Sequence, residues 1–224
     1  LGLNRPMLIQ YVAFLEQVAR GDLGRSIFLD QTVLSALAQR AEPTFFLTVF
    51  AMLIACAIAL PVGIMAAWKR GTWTDQLVTA VAMLSASIPS FWLGLLFIQF
   101  FSVRMGWFPT SGYGGPGESF AGRMQHLVLP AVTLGIISSA LITRFTRTSM
   151  IEVLSSDYIR TARAKGVGHM KVLLQHALKN ALIPILTVIG LTAAVLISGA
   201  VVTETVFGLP GVGNLVVSAV LRRD

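Results

Sequence analysis

Four long stretches of the chain contain no charged residue, and they give the first indication of its structure. They cover residues 44–67, 77–103, 127–143 and 181–203. A helix needs roughly 20 residues to cross the ~30 Å hydrocarbon core of a bilayer. Three stretches reach that length alone, and the third along the chain reaches it with flanking residues. Because a backbone inside lipid must satisfy its own hydrogen bonds, the pattern predicts an all-α integral membrane protein with a four-span core over residues 44–203.

Prolines predict where these spans deviate from straight helices. Pro61 and Pro89 lie deep in their stretches, where a proline kinks or interrupts a helix. Pro130 and Pro184 lie near the start of theirs, so we expect them in first helical turns, where the missing N–H costs little.

Two segments flank the predicted core. In residues 1–43, apolar positions recur at helical spacing between residues 8 and 18, which predicts an amphipathic helix outside the cytoplasm. Residues 204–224 are expected to form a loop and a helix on the same side. The chain starts without a methionine or a signal-peptide pattern. We therefore expect a further membrane helix before residue 1 and another after residue 224.

Composition and charge fit a membrane protein and give its orientation. Hydrophobic residues make up 55% of the chain and charged residues 12%, with a mean hydropathy of +0.76 and a net charge of +7. Nine Lys and Arg residues lie in the two segments 68–76 and 144–180, against six in residues 1–43 and 104–126 on the opposite side. Because basic residues concentrate on the cytoplasmic side, we expect segments 68–76 and 144–180 in the cytoplasm. This distribution favours a membrane topology over nucleic-acid binding.

The predicted cytoplasmic segment 144–180 has helix signals that a disordered loop would lack. Residues 155–157, Ser-Ser-Asp, supply N-cap candidates for a short helix, and Gly166 supplies its C-terminal stop. A second helix is expected over residues 169–180. The small residues Thr161, Ala162 and Ala164 between basic ones suit insertion into a cleft of a partner protein. A helix lying on the membrane surface is the alternative interpretation.

The order of residues in this segment resembles the permease subunits of binding-protein-dependent ABC importers. The run from Asp157 to Gly166 is similar to the cytoplasmic motif of the dipeptide and oligopeptide group, in particular its first permease subunit. Further similar runs include residues 21–24, 88–91, 106–109 and 204–213, so the resemblance covers nearly the whole chain. It implies that ATPase coupling involves Asp157, Tyr158, Arg160, Thr161, Ala162, Arg163, Ala164, Lys165 and Gly166.

The resemblance also implies the assembly around this chain. The expected fold is the multi-span permease core of ABC importers with a cytoplasmic coupling helix, in the inner membrane of a bacterium. The expected partners are a second permease subunit, two cytoplasmic ATPase subunits, an extracytoplasmic substrate-binding protein and membrane lipid. No phosphate-binding loop of the Gly-x-x-x-x-Gly-Lys-Ser/Thr type occurs, so ATP and Mg are expected on the partner subunits and no cofactor on this chain.

Candidates for the translocation path or its gate lie in two places. Ser87, Pro89 and Ser90 surround the expected interruption of the second span, and small or hydroxyl residues there suit a pathway or close helix packing. Glu204 and Phe207 follow the fourth span, where an ionisable group either faces the path or is simply solvated. The expected substrates are peptides, with nickel and glutathione as alternatives.

Three other classes of membrane protein fit the sequence less well. Residues 110–114, Thr-Ser-Gly-Tyr-Gly, look like a potassium-channel filter, but no separate pore helix precedes them. An intramembrane metalloenzyme is disfavoured because His126 is expected on the opposite side of the membrane from His169 and His176. A secondary transporter would need inverted repeats, and none is clear.

Overall fold

The computed structural model describes residues 6–115 and 117–223, and helices dominate them. Over these residues there are eight helices: α1 Met7–Ala19, α2 Val33–Trp68, α3 Trp73–Ser87, α4 Ser90–Arg104, α5 Phe120–Leu154, α6 Asp157–Ala164, α7 His169–Val206 and α8 Val212–Arg222. Helix α4 ends in a π-helical stretch, Ile98–Arg104, and α7 contains another, Val172–Ala177.

Three of these helices are long and apolar enough to cross a membrane, namely α2, α5 and α7. The stretch 77–103, expected as one span, forms α3 and α4, which meet at a bend of 95°. The four predicted spans are therefore present only if this bent pair counts as one. Helix α5 is central, since 61% of its most apolar window is buried, against 22% for α2 and 28% for α7.

The bend between α3 and α4 lies where the sequence predicts an interruption. Ile88 has an extended backbone (φ −79°, ψ 125°), because a residue that precedes proline is disfavoured in the α region. Pro89 then lies directly before the first residue of α4. The hydroxyl of Ser87 donates back to the carbonyl oxygen of Met83, one turn earlier in α3, at 3.0 Å.

Two other proline predictions need correction, because Pro130 lies in the interior of α5 and Pro184 in the interior of α7, not in first turns. Pro61 lies inside α2, which continues through it. Helices α5 and α7 both begin outside the uncharged stretches. Helix α5 begins at the polar cap Ser119, whose hydroxyl accepts from the N–H of Gly122 at 3.1 Å, and α7 begins after Gly168. The stretch without charges marks the part of a helix in lipid and not where the helix starts.

The same extension shortens the predicted cytoplasmic loop. Helix α5 runs on to Leu154 and α7 begins at His169, so only residues 155–168 connect the two long helices. Helix α2 likewise starts at Val33, where the hydroxyl of Thr32 accepts from the N–H of Ser35 at 3.3 Å. The first eleven residues of α2 were expected in the extracytoplasmic segment 1–43.

Small residues let α2 and α5 pack closely. Ala51, Ala55 and Ala59 recur every four residues along α2, and all three are fully buried. A Cβ atom on Gly63 would lie 2.7 Å from the Cβ of Thr146 in α5, so no larger residue fits there without movement. Such close approach matters inside lipid, where helix association depends on van der Waals packing rather than on burial from water.

Two buried clusters lie at opposite ends of the long helices, and a smaller cluster lies between them. The cluster at the predicted outer end includes Leu47, Leu127, Phe207 and Leu209. The cluster at the predicted cytoplasmic end contains Ala67, Met150, Ile159, Val172, Leu173, Ala177, Ala181 and Ile185. Each end is thus fixed by its own core, and α6 belongs to the second.

Candidate coupling site and translocation path

Helix α6 presents most of its surface to solvent. Its first residue, Asp157, accepts a hydrogen bond from Arg160 at 2.6 Å and from the hydroxyl of Thr161 through its carbonyl at 3.0 Å. The Asp157–Arg160 ion pair is highly exposed on both sides, so it contributes little to stability. Most predicted residues with small or basic side chains are exposed, namely Thr161, Arg163, Ala164 and Lys165, whereas Ala162, three residues after Ile159, is half-buried.

A glycine turn ends α6 and redirects the chain into α7. Gly166 has a φ of +78°, a conformation that side-chain-bearing residues rarely adopt. Its N–H donates to the carbonyl of Arg163 at 2.9 Å, and the N–H of Val167 donates to that of Ala162 at 3.2 Å. These bonds satisfy carbonyls that would otherwise be free at the helix end. The prediction of a short helix stopped by Gly166 is confirmed.

The side of α6 that faces the other helices carries a residue that was not among the predicted coupling residues. Ile159 is the one residue of the helix that is buried, and it is fully buried. It joins a cluster that includes Met150 of α5 and Val172 and Leu173 of α7. The sequence did indicate this burial, because an isoleucine is unexpected in an otherwise polar, solvent-facing helix.

A polar contact accompanies this apolar one. The side-chain amide of Asn180 in α7 donates to the Tyr158 hydroxyl at 2.7 Å and more weakly to the carbonyl of His176 at 3.3 Å. Beside it, a cleft of about 330 Å³ separates the end of α5 from the start of α7, and its lining includes Glu152, Tyr158, Asn180 and Pro184. Asn180 was outside the predicted site.

A buried ion pair braces the same end of the molecule. Asp75, 4% exposed, receives two hydrogen bonds from Arg147 of α5, one of them from Nη2 to Oδ2 at 2.8 Å. The N–H of Gly71 donates to the same Oδ2 at 3.0 Å. The pair therefore ties the connection between α2 and α3 to α5. Arg147 thus has a partner inside the chain.

Glu204 lies within α7, not after it, and its side chain is fully buried. The hydroxyl of Thr44 donates to its Oε1 at 2.6 Å, and the N–H of Asn214 donates to its Oε2 at 2.8 Å. The Thr44 hydroxyl also accepts from the N–H of Val212 at 2.9 Å. Because the first N–H groups of a helix lack partners within it, Glu204 and Thr44 together cap α8.

Two glycines make room for this arrangement. A Cβ atom on Gly211 would lie 2.2 Å from the carboxyl group of Glu204, and one on Gly213 would lie 2.7 Å from the Cα of Val201. Either contact is far inside van der Waals distance, so the glycines at these positions are needed for α8 to fold back against α7. The glycine-rich run 208–213 thus serves packing.

The five predicted path residues form two groups with different surroundings. Ser87 and Pro89 are exposed at the bend between α3 and α4, and Ser90 is half-buried there. Phe207 is 2% exposed, and its carbonyl accepts from the N–H of Gly112 at 2.9 Å. Glu204 and Phe207 are therefore packed inside the chain and do not face an open path in this conformation. A role of the five residues in translocation stays a prediction.

The segment that looks like a channel filter is held by contacts inside this chain. The hydroxyl of Tyr113 donates to Oε1 of Glu42 at 3.0 Å, and Arg123 pairs with the same oxygen at 2.8 Å. Burial and the Glu42 carboxylate raise the pKa of Tyr113 to about 12. The side chain of Tyr113 is thus fixed between α2 and α5, and the segment packs as part of the outer core cluster.

Comparison with known proteins identifies a family and several relatives of this chain. The family model described as "Binding-protein-dependent transport system inner membrane component" matches residues 59–224. A probable peptide ABC transporter permease protein of Sinorhizobium fredii is 45% identical over 224 residues, covering all of this chain and 72% of the relative. A dipeptide transport system permease protein of Alkalihalophilus pseudofirmus is 40% identical over 244 residues, covering all of this chain and 73% of the relative.

Two further similarities concern a different substrate and the fold. A glutathione transport system permease protein of Escherichia coli is 43% identical over 224 residues, covering all of this chain and 71% of the relative. Among solved structures, the inward-facing MetNI methionine ABC transporter matches with a TM-score of 0.66 at 20% identity, over 83% of this chain and 81% of that chain. At that identity the match concerns the fold alone.

Proposed function

This chain belongs to the family of binding-protein-dependent transport system inner membrane components, and we propose that it forms part of the path by which an ATP-driven importer takes up peptides. It is a multi-pass permease subunit of a bacterial inner membrane and not itself an enzyme. The peptide substrate is supported by relatives that are 40–45% identical along the whole chain and are described as peptide or dipeptide permeases.

The coupling part of the proposal rests on α6. This eight-residue helix is anchored by one fully buried residue and leaves most of its other side chains exposed, so it offers a surface on which a partner can dock. Its outer side combines small residues with Arg163 and Lys165, which suits a cleft with an acidic rim. We assign this side to contact with a cytoplasmic ATPase subunit. A second ATPase, a second permease subunit and an extracytoplasmic binding protein complete the proposed importer.

Glutathione is the second candidate substrate. The glutathione permease of Escherichia coli is 43% identical to this chain, within the range of the peptide permeases. Sequence identity therefore does not separate the two substrates. Uptake assays with the whole importer in proteoliposomes, comparing labelled dipeptides, oligopeptides and glutathione, distinguish them. ATP-dependent uptake of peptides is expected, and uptake of glutathione alone would overturn the peptide assignment.

Substitution of Ala164 tests the coupling assignment. Ala164 is exposed on α6, so Ala164→Trp places a bulky ring on its outer side and should prevent the helix from entering the ATPase cleft. We expect uptake to fall at least tenfold while the subunit still inserts in the membrane. Uptake and recovery of the ATPase subunits with the purified permease are the measurements.

A matched variant controls for the bulk of the tryptophan. Ala80 is an exposed alanine on α3, and Ala80→Trp adds the same ring away from α6. Uptake by Ala80→Trp should remain close to that of the unsubstituted importer. Normal uptake by Ala164→Trp would contradict the assignment of this side of α6 to the ATPase.

A further inference from the structure

Helix α6 is joined to α7 by two non-covalent contacts that differ in kind. Ile159 is held in the buried cluster with Val172 and Leu173, and the Tyr158 hydroxyl accepts from Asn180 at 2.7 Å. Successive residues of a helix point about 100° apart, since a turn takes ~3.6 residues. A single apolar contact would leave α6 free to rotate about it. The second contact fixes that rotation.

Both contacts reach α7 at or just beyond its π-helical stretch. This stretch covers Val172–Ala177, and Asn180 lies less than one turn after it. A π-helical turn inside an α-helix is strained and often marks a functional position. Ile159 therefore packs where α7 departs from α-helical geometry. Asn180 lies in the regular α-helical part after the π-helical stretch, and its side chain bonds to Tyr158 of α6.

The Tyr158–Asn180 hydrogen bond lies at the cleft between α5 and α7. Both residues line this cleft, whose volume is about 330 Å³. At this cleft the Tyr158–Asn180 hydrogen bond links α6 to α7, and Ile159 links the same two helices through the buried cluster.

We propose that Ile159 and the Tyr158–Asn180 hydrogen bond form a joint through which displacement of α6 moves the span α7. Tyr158, Ile159 and Asn180 are then positioning residues for import, and they act from the side of α6 that faces away from the ATPase. This inference rests on the proposed function, since it presumes that α6 is displaced by an ATPase. It adds the helix that receives the motion and the residues that carry it.

The number of substrate molecules imported per ATP hydrolysed, measured with the complete importer in proteoliposomes, tests the joint. Tyr158→Phe and Asn180→Leu each remove the bond, and Tyr158 is 43% exposed, so folding should be unaffected. We expect the ratio to fall about fivefold in each, the change that one hydrogen bond of average net strength makes to an equilibrium. The double variant should fall no further than either single one.

Controls separate transmission from general damage. Thr187→Val removes an exposed hydroxyl of α7, one that donates within its own helix at 3.2 Å, and should leave the ratio unchanged. Ile159→Ala should lower the ratio, and Ile159→Val should largely restore it because most of the packing volume returns. Amounts of assembled complex are matched before comparison.

Three results would overturn the joint. They are an unchanged ratio in both single variants, a parallel loss of ATP hydrolysis and uptake that leaves the ratio constant, and a double variant whose loss is the product of the single losses. If the unsubstituted importer takes up glutathione and not peptides, the substrate proposal fails, and the same ratio measured with glutathione still tests the joint. If it imports neither, the fraction of ATP hydrolysis that depends on the binding protein replaces uptake as the readout.

Discussion

Glu204 illustrates how a single residue holds the outer end of the molecule. Its carboxyl group accepts from Thr44 of α2 and from the backbone of Asn214 in α8, while Glu204 itself belongs to α7. Three helices therefore meet at one buried side chain. From sequence, Glu204 was expected at a membrane boundary, either facing the path or simply solvated. The structure supplies a sufficient structural reason for its presence.

Removal of this carboxyl group should destabilise the protein. Glu204→Ala leaves the Thr44 hydroxyl and the N–H of Asn214 without their acceptor in a buried site, which costs about 2–4 kcal/mol. We expect a lower midpoint of thermal unfolding in detergent and earlier proteolysis of the segment that contains α8.

Ser218→Ala is a suitable control. Ser218 lies on the same helix, and its hydroxyl makes only a 3.3 Å contact with Asn214, so its removal should change the midpoint little. An unfolding midpoint for Glu204→Ala equal to that of Ser218→Ala would contradict the capping role of Glu204.

At the level of elements, the close packing of α2 against α5 carries much of the fold. The line of buried alanines along α2 leads to Gly63, whose hypothetical Cβ would approach both Thr146 and the carbonyl oxygen of Thr143, at 2.7 and 2.9 Å. A backbone atom cannot move aside as a flexible side chain can. The absence of a side chain at Gly63 is therefore required by the distance between these two helices.

Gly63→Ala tests this packing with the smallest possible change. The added methyl group should destabilise the protein by about 1–3 kcal/mol, the usual cost of overpacking a tight contact. Gly190→Ala is the matched control, since Gly190 lies within α7 and a Cβ atom there would meet no neighbour within 4 Å. The control should be neutral or slightly stabilising, because alanine is a better helix former. Equal unfolding midpoints for the two variants would refute the account of this interface.

The sequence predicted the elements better than their ends and their mutual contacts. The uncharged stretches located the membrane helices, Pro89 predicted the break between α3 and α4, and Gly166 predicted the end of α6. The start of α5 was expected too late, because its polar cap Ser119 lies outside the apolar stretch, whereas the helix expected from residue 169 agrees with the start of α7. The Asp75–Arg147 pair joins residues 72 positions apart, and no local pattern indicates such a pairing.

For the whole molecule, the two ends of the bundle have different roles. The predicted outer end is closed by Glu204, Thr44 and the tightly packed α8. The predicted cytoplasmic end has α6, which is exposed on one side and jointed to α7 on the other. This difference suits a subunit that receives motion at one end and changes the packing of its spans at the other. This assignment of roles to the two ends depends on α6 facing the cytoplasm.

Accessibility of a cysteine on α6 tests that dependence most directly. Cys56 is the only cysteine, so Cys56→Ser with Ala164→Cys places a single thiol on α6, and Thr110→Cys in the same background places one at the other end. With a membrane-impermeant maleimide, the thiol at position 164 should react in inside-out vesicles stripped of ATPase subunits and be protected when those subunits rebind. The thiol at position 110 should react in spheroplasts. Reaction of the thiol at position 164 in intact spheroplasts would contradict the account.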